Sequence, residues 1–177
     1  MRIYRALLTV SFLLAIVFTA PAAAQFYPAK GIVNGWTNKP VSRGKKYENT
    51  EFVKVKVGKH SGYDRVVFEF KYDLPNYTVN YVEPPIWLGE SGEKVKISGK
   101  AFVEVAFYAV PIPENGDFPD ELLEFPKEKL SLPIVNEIKM SNWWEGVLSL
   151  AVGLKAKKLY RVSELSDPAR LVVDFKQ

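Results

Sequence analysis

The sequence predicts an all-β protein: an antiparallel β-sandwich of two related sheets, about eight or nine short strands, following a cleaved signal peptide. Three observations point there. Apolar and polar residues alternate with period two through most of residues 51–175. Gly, Pro and Asn turns cut that alternation into short runs, and no segment holds a helical period for more than two turns.

The organisation reads as residues 1–24 signal peptide, 25–50 irregular N-terminal linker, and 51–177 sandwich domain. Arg2 and Arg5 form a short basic region, Leu7 to Phe18 an apolar run, and Ala22-Ala23-Ala24 a small-residue cleavage site before Gln25. The apolar run is about 12 residues, short of the roughly 20 that cross a bilayer. No later stretch is long and apolar enough to span a membrane. Without Arg2 and Arg5 the formal net charge falls from +4 to +2, which gives no electrostatic case for nucleic acid. The chain has no cysteine, so it forms no disulfide and takes no lipid on an N-terminal thiol. A mature chain of about 150 residues buries enough surface to be stable through its core alone.

Pro28, Gly31, Gly35, Pro40 and Gly44 interrupt any period in the linker, and Arg43, Lys45 and Lys46 make a basic patch. Trp36 is unusual in such a segment and is expected to tuck against the domain. Strands follow in order. Val53, Val55 and Val57 alternate with Lys54 and Lys56; a turn at 58–62 leads to Arg65–Phe70, with Val66, Phe68 and Phe70 on one face; Tyr77–Val82 ends at Pro84-Pro85. Lys94–Ile97 reads as a short strand and Ala101–Val110 as a stronger one. Residues 111–133 carry five prolines and many charges, a long excursion in which Asp120–Phe125 fits one helical turn. Ile134–Met140, Val147–Leu154, Lys158–Val162 and Arg170–Phe175 complete the set.

Two of these strands echo each other. Arg65-Val-Val-Phe-Glu-Phe70 and Arg170-Leu-Val-Val-Asp-Phe175 match in residue type at every position. Arg and acid lie too far apart on one strand to bond. An antiparallel pairing with Val67 opposite Val172 would place Arg65 against Asp174 and Glu69 against Arg170. The alternatives are equivalent strands in two halves that never touch, or a chance match. Asp64, Arg65, Glu69, Arg170 and Asp174 are the structural signature on this reading.

GKHSGYDRVVFEF, LPNYTVNYVEPP, GESGEKVKISGKAFVEVAF, LPIVNEIKMSNWWEGVLSLAVGL and YRVSELSDPARLVVDF together resemble the AMIN-like domain of secreted bacterial proteins. That domain is similar in turn to AMIN, the amidase N-terminal domain of cell-envelope proteins, for which the match is mainly the closing YRV…LSDPARLVVDF. The resemblance implies a β-sandwich of two related sheets, an extracytoplasmic location in the periplasm or cell-wall space, and no known catalytic residues. AMIN domains are associated with periplasmic targeting and peptidoglycan binding. AMIN-like proteins are often lipoproteins; this chain departs by lacking cysteine.

Little in the residues points to catalysis. His60 is the only histidine, so no multi-imidazole metal site forms, and neither a cysteine nucleophile nor a G-x-S-x-G elbow is present. No cofactor or metal is expected. Glu90 with Glu93, Asp117 with Asp120 and Glu121, and Glu164 with Asp167 are the carboxylate groupings a hydrolase would need, and nothing in the sequence fixes their separation. Asn76-Tyr77-Thr78 fits a glycosylation sequon, of little weight in a bacterial family. Aromatics are the better clue. Tyr63, Tyr77, Tyr81, Trp87, Trp143 and Trp144 are the candidate binding residues, since such rings stack on sugar faces; core packing is the competing account. Trp143 and Trp144 cannot both point inward from an extended strand. The expected function is therefore a secreted, non-catalytic module that binds a cell-envelope component such as peptidoglycan or another glycan. The alternatives are a module binding envelope proteins through edge strands or residues 111–133, and a hydrolase with an unrecognised carboxylate site.

Overall fold

The structure, a computed structural model, describes residues 31–32, 35–44, 50–112, 123–124 and 130–177. Eleven strands form among them: β1 Gly31–Ile32, β2 Val41–Arg43, β3 Thr50–His60, β4 Tyr63–Tyr72, β5 Asn76–Val82, β6 Ala101–Tyr108, β7 Leu123–Glu124, β8 Val135–Trp144, β9 Val147–Leu154, β10 Tyr160–Leu165 and β11 Ala169–Lys176. The first sheet has the order β1-β10-β11-β4-β3-β7 and the second β2-β5-β6-β9-β8. Neighbours are antiparallel except β3 and β7, which pair in parallel through Val55–Leu123 and Lys56–Glu124.

The alternation of the sequence sets the inner faces. Val66, Phe68 and Phe70 of β4 join Leu171, Val173 and Phe175 of β11 in the core, opposite Val103, Val105 and Phe107 of β6 and Leu148, Leu150, Val152 and Leu154 of β9. Phe107 meets Phe68 and Phe70 at ring-centroid distances of 5.3 and 4.8 Å, so the two sheets interlock through aromatic edges. The echoing strands are direct neighbours inside the first sheet. Val67 stands opposite Val172, Arg65 opposite Asp174 and Glu69 opposite Arg170, in the register that charge pairing requires.

Strict alternation fails where the chain bulges. Phe52 and Val55 are both core residues, which period two forbids, and the register of β3 on β4 shifts between Phe52 and Lys54. The extra residue places Phe52 inward in the role expected of Val53. On β8, shifts at 135–137 and 140–142 do the same: Val135, Ile138 and Trp143 all reach the core.

Three segments depart from expectation. Lys94–Ile97 is not a strand; it makes one isolated bridge, Trp87 to Lys94, within a loop over residues 83–100. That loop lies on the outer face of the second sheet, where Val95 and Ile97 pack on a satellite cluster of Ile86, Phe102 and Ala151. Gly153 permits the contact, because a Cβ there would meet the Ser98 carbonyl oxygen at 2.2 Å. The Asp120–Phe125 turn falls largely outside the described residues, and Leu123–Glu124 within it is extended rather than helical. Finally, the segment read as linker contributes to both sheets. β1 pairs with β10, β2 pairs with β5, and between them Thr37 exchanges backbone hydrogen bonds of 2.8 Å each way with Tyr160. The buried Tyr160 hydroxyl lies 2.6 Å from the Lys39 carbonyl and 2.8 Å from that of Val79, and burial pushes its pKa up to about 12. Residues 31–32 and 35–43 thus strap the two sheets together along one side. Strands of two and three residues carry too few positions to show a period.

Candidate ligand-binding site

The six aromatic candidates do not converge. Tyr77 is fully buried in the core; its hydroxyl donates to Glu164 at 2.8 Å, and burial, then that carboxylate, raise its pKa. It offers no ring face to an external ligand, so its place among the binding residues is withdrawn. Tyr81 is half-buried. Its hydroxyl bonds the Lys158 carbonyl and accepts from the Lys158 N–H at 3.0 Å, and burial raises the phenol. It clasps the chain between β9 and β10.

Tyr63 sits on the outer face of the first sheet. His60 stacks on it at 5.0 Å with an interplanar angle of 8°, Trp36 lies 6.4 Å away, and the guanidinium carbons of Arg65 and Arg161 lie 5.2 and 5.1 Å from its centroid. Arg161 also covers Trp36 at 4.7 Å. This is how Trp36 tucks against the domain. Burial, then the Arg65 charge, lower the His60 pKa below its ordinary 6.5.

Asp64 and Arg65 point to opposite faces of β4. Asp64, fully buried, accepts the backbone N–H of Ile134 at 2.6 Å and of Val135 at 2.9 Å, and the Gln177 side-chain amide at 2.9 Å. Arg65 forms a two-bond pair with Asp174 at 2.6 and 3.0 Å, and Arg161 reaches the same carboxylate at 2.8–2.9 Å. Burial pushes the Arg65 guanidinium down, but the Asp174 carboxylate outweighs it and the net shift is upward. The second pair is different. Arg170 stands opposite Glu69 but donates Nε to the Pro168 carbonyl at 3.2 Å.

An open aromatic surface forms elsewhere, at one end of the second sheet. Trp144 is 60% exposed and Trp87 49%, whereas Trp143 turns inward and meets Phe52 edge-on at 6.0 Å. Trp144 is held out by the β8–β9 turn. Glu145 and Gly146 both have positive φ, 49° and 76°, the geometry of a two-residue hairpin loop. Facing it is a tight turn. The N–H of Leu88 donates to the Glu93 carbonyl, Ser91 Oγ donates to the Leu88 carbonyl, and the Gly89 N–H donates to the Ser141 carbonyl at 2.7 Å. A side chain at Gly89 would strike Asn142 Oδ1 at 2.9 Å. Between turn and hairpin lies a groove of about 380 Å³, lined by Leu88, Glu90, Ser91, Asn142, Trp143 and Trp144. Asn142 is fixed by donating to the Val147 carbonyl at 2.7 Å. Flat apolar rings beside a hydroxyl, an amide and a carboxylate suit a sugar, whose apolar face stacks while its hydroxyls bond. Leu88 and Asn142 were missed by sequence reasoning, since only the fold brings 88–91 beside 142–144.

The carboxylate groupings lie in separate places, and Glu164 and Asp167 share one groove with Asp73. Glu90 and Glu93 are exposed; Asp117, Asp120 and Glu121 lie outside the described residues; Glu164 is held by Tyr77 and, at 3.4 Å, by Arg43. Among the described residues, no group of three or more acidic or histidine side chains is arranged to hold a metal. Glu104 is a separate case, on the outward face of β6 between Asn80 and Ala151. Burial raises its carboxyl pKa above the ordinary 4.5. A raised folded-state value means this group adds stability at pH below the unfolded value and loses it as pH rises through the folded one. Glu104→Gln is accordingly expected to melt above the wild type at about pH 7, with the difference closing below about pH 4. A thermal melt across that range checks this; a wild type that melts higher at neutral pH would contradict it.

No curated protein and no solved structure matches the chain. The AMIN-like domain model matches residues 50–177, and the chain therefore belongs to the AMIN-like domain family.

Proposed function

We propose that this protein is a secreted, non-catalytic module that binds a glycan of the cell envelope, with peptidoglycan the leading ligand. Family membership suggests an envelope-associated, extracytoplasmic domain. The observation that carries the binding reading is the groove between Trp144 and the 88–91 turn, where the Trp144 ring stays 60% exposed while its neighbour Trp143 packs on the core and borders the same groove. The non-catalytic reading is supported by the placement of the acid–base groups: His60 is stacked on Tyr63, and Asp64, Asp174 and Glu164 are occupied by structural partners.

The test is sedimentation with purified, protein-free sacculi. The wild type is expected to pellet with them. Trp144→Ala is expected to bind roughly 5–30 times more weakly, the loss typical of a central aromatic anchor, with an unchanged melting temperature. Equal pelleting of the two proteins would remove the groove from the reading.

One observation favours a second reading, a module for envelope proteins: the pairing of β7 with β3 shows that the β3 edge takes an added extended segment. That reading predicts no retention on protein-free sacculi, so the same experiment separates the two.

A further inference from the structure

The end of β8 away from the tryptophans carries a second groove, of different chemistry. It has a volume of about 690 Å³, and its polar lining is Ser98, Lys100, Ser131, Asn136 and Lys155, with Leu130 and Gly99 as the apolar wall. Among the described residues that line it, two are lysines and none is acidic.

The positions of both lysines are set by backbone hydrogen bonds to the second sheet. The Lys100 N–H donates to the Leu154 carbonyl at 2.7 Å, and the Lys155 N–H to the Ile134 carbonyl at 2.9 Å. Lys155 Nζ is further held by the Leu132 carbonyl at 2.5 Å. Asn136, 4% exposed, supplies the floor: its amide donates to the Ser98 carbonyl at 2.9 Å, and its backbone carbonyl accepts the Leu130 N–H at 2.8 Å. The adjacent carboxylate, Glu137, is directed to the Ser98 N–H and to Lys139 Nζ. The described lining residues are therefore positive in net charge, with the Glu137 carboxylate beside them on Ser98. Both lysines are exposed, so the attraction for an anion seated there is that of two surface charges lining one groove, and Ser131 lines it beside them with a hydroxyl.

We propose that this groove binds an oxyanion, a carboxylate or phosphate group carried on a small molecule or on an envelope polymer. The site is separate from the glycan groove. Asn136 and Trp144 stand eight positions apart on β8, roughly 25 Å of strand, so the failure of one reading leaves the other standing.

The test uses the full chain, nitrogen-15 labelled, titrated separately with inorganic phosphate and with acetate at constant ionic strength. Saturable amide shifts are expected at Ser98, Gly99, Lys100, Ser131, Asn136 and Lys155. A response to phosphate alone assigns a phosphate group, to acetate alone a carboxylate, and to both an unselective oxyanion site. Lys100→Gln is expected to weaken binding roughly two- to fivefold, and Lys100→Gln with Lys155→Gln to abolish it. Lys155 also holds the Leu132 carbonyl, so the exposed Lys100 is the decisive single variant; Trp144→Ala should leave the titration unchanged. No saturable shift with either anion, shifts spread over distant lysines such as Lys59 and Lys94, or unaltered affinity in Lys100→Gln would each overturn the proposal.

Discussion

Asp64→Ala is expected to lower the unfolding free energy by about 3–5 kcal/mol, a large share of the total of a domain this size. The carboxylate is fully buried and receives two backbone N–H groups at the entry to β8, together with the Gln177 amide. Alanine supplies no acceptor, and each buried N–H left without one costs about 1–3 kcal/mol. The loss also crosses the sandwich, because Asp64 belongs to the first sheet and Val135 to the second. Urea unfolding should show a fall in midpoint with the slope preserved. Asp64→Asn, which keeps an acceptor oxygen, should lose much less. A loss below about 1 kcal/mol for alanine would mean that those N–H groups find other partners.

Asp174→Ala is expected to cost about 3 kcal/mol, for a different reason. Asp174 is 1% exposed, and the side chains of its partners Arg65 and Arg161 are 18% and 27% exposed. Without the carboxylate, two poorly hydrated guanidinium groups face each other across the space it filled. Replacing Arg65 as well should recover part of the loss, because the double variant removes one of the two like charges that Asp174 held together. A double-mutant cycle measures this directly. Strict additivity of Arg65→Ala and Asp174→Ala would show that the pair is not coupled.

Much of this arrangement was legible because it rests on local repetition. Alternation in β4, β9 and β11 assigned their inner faces, and the matched charges of 65–70 and 170–175 set the register between two strands separated by about a hundred residues of chain. The adjacency of Trp143 and Trp144 required that one ring point out, and Trp144 does. What escaped depends on partners that no period encodes. Asp64 was legible only as part of the signature, because its partners are backbone groups 70 and 71 positions away. Tyr77 looked like a ligand-stacking ring because nothing local reveals that Glu164 waits for its hydroxyl inside the fold. The bulge at Val53 shifts the phase of β3 by one residue, and a valine there looks like any other strand residue. The strap around Trp36 was hidden by its own prolines and glycines, which break the period while still allowing short edge pairings.

The position of β11 bears on how the molecule comes into being. β11 is the last strand in chain order, yet it lies inside the first sheet between β10 and β4. Until residues 169–176 have emerged from the ribosome, the β3–β4 hairpin lacks its inner neighbour, Arg65 lacks Asp174, and the core lacks Leu171, Val173 and Phe175. The sandwich cannot close early, because its most distant pairings are also its central ones. Closure of the core therefore waits until β11 has been added between β10 and β4.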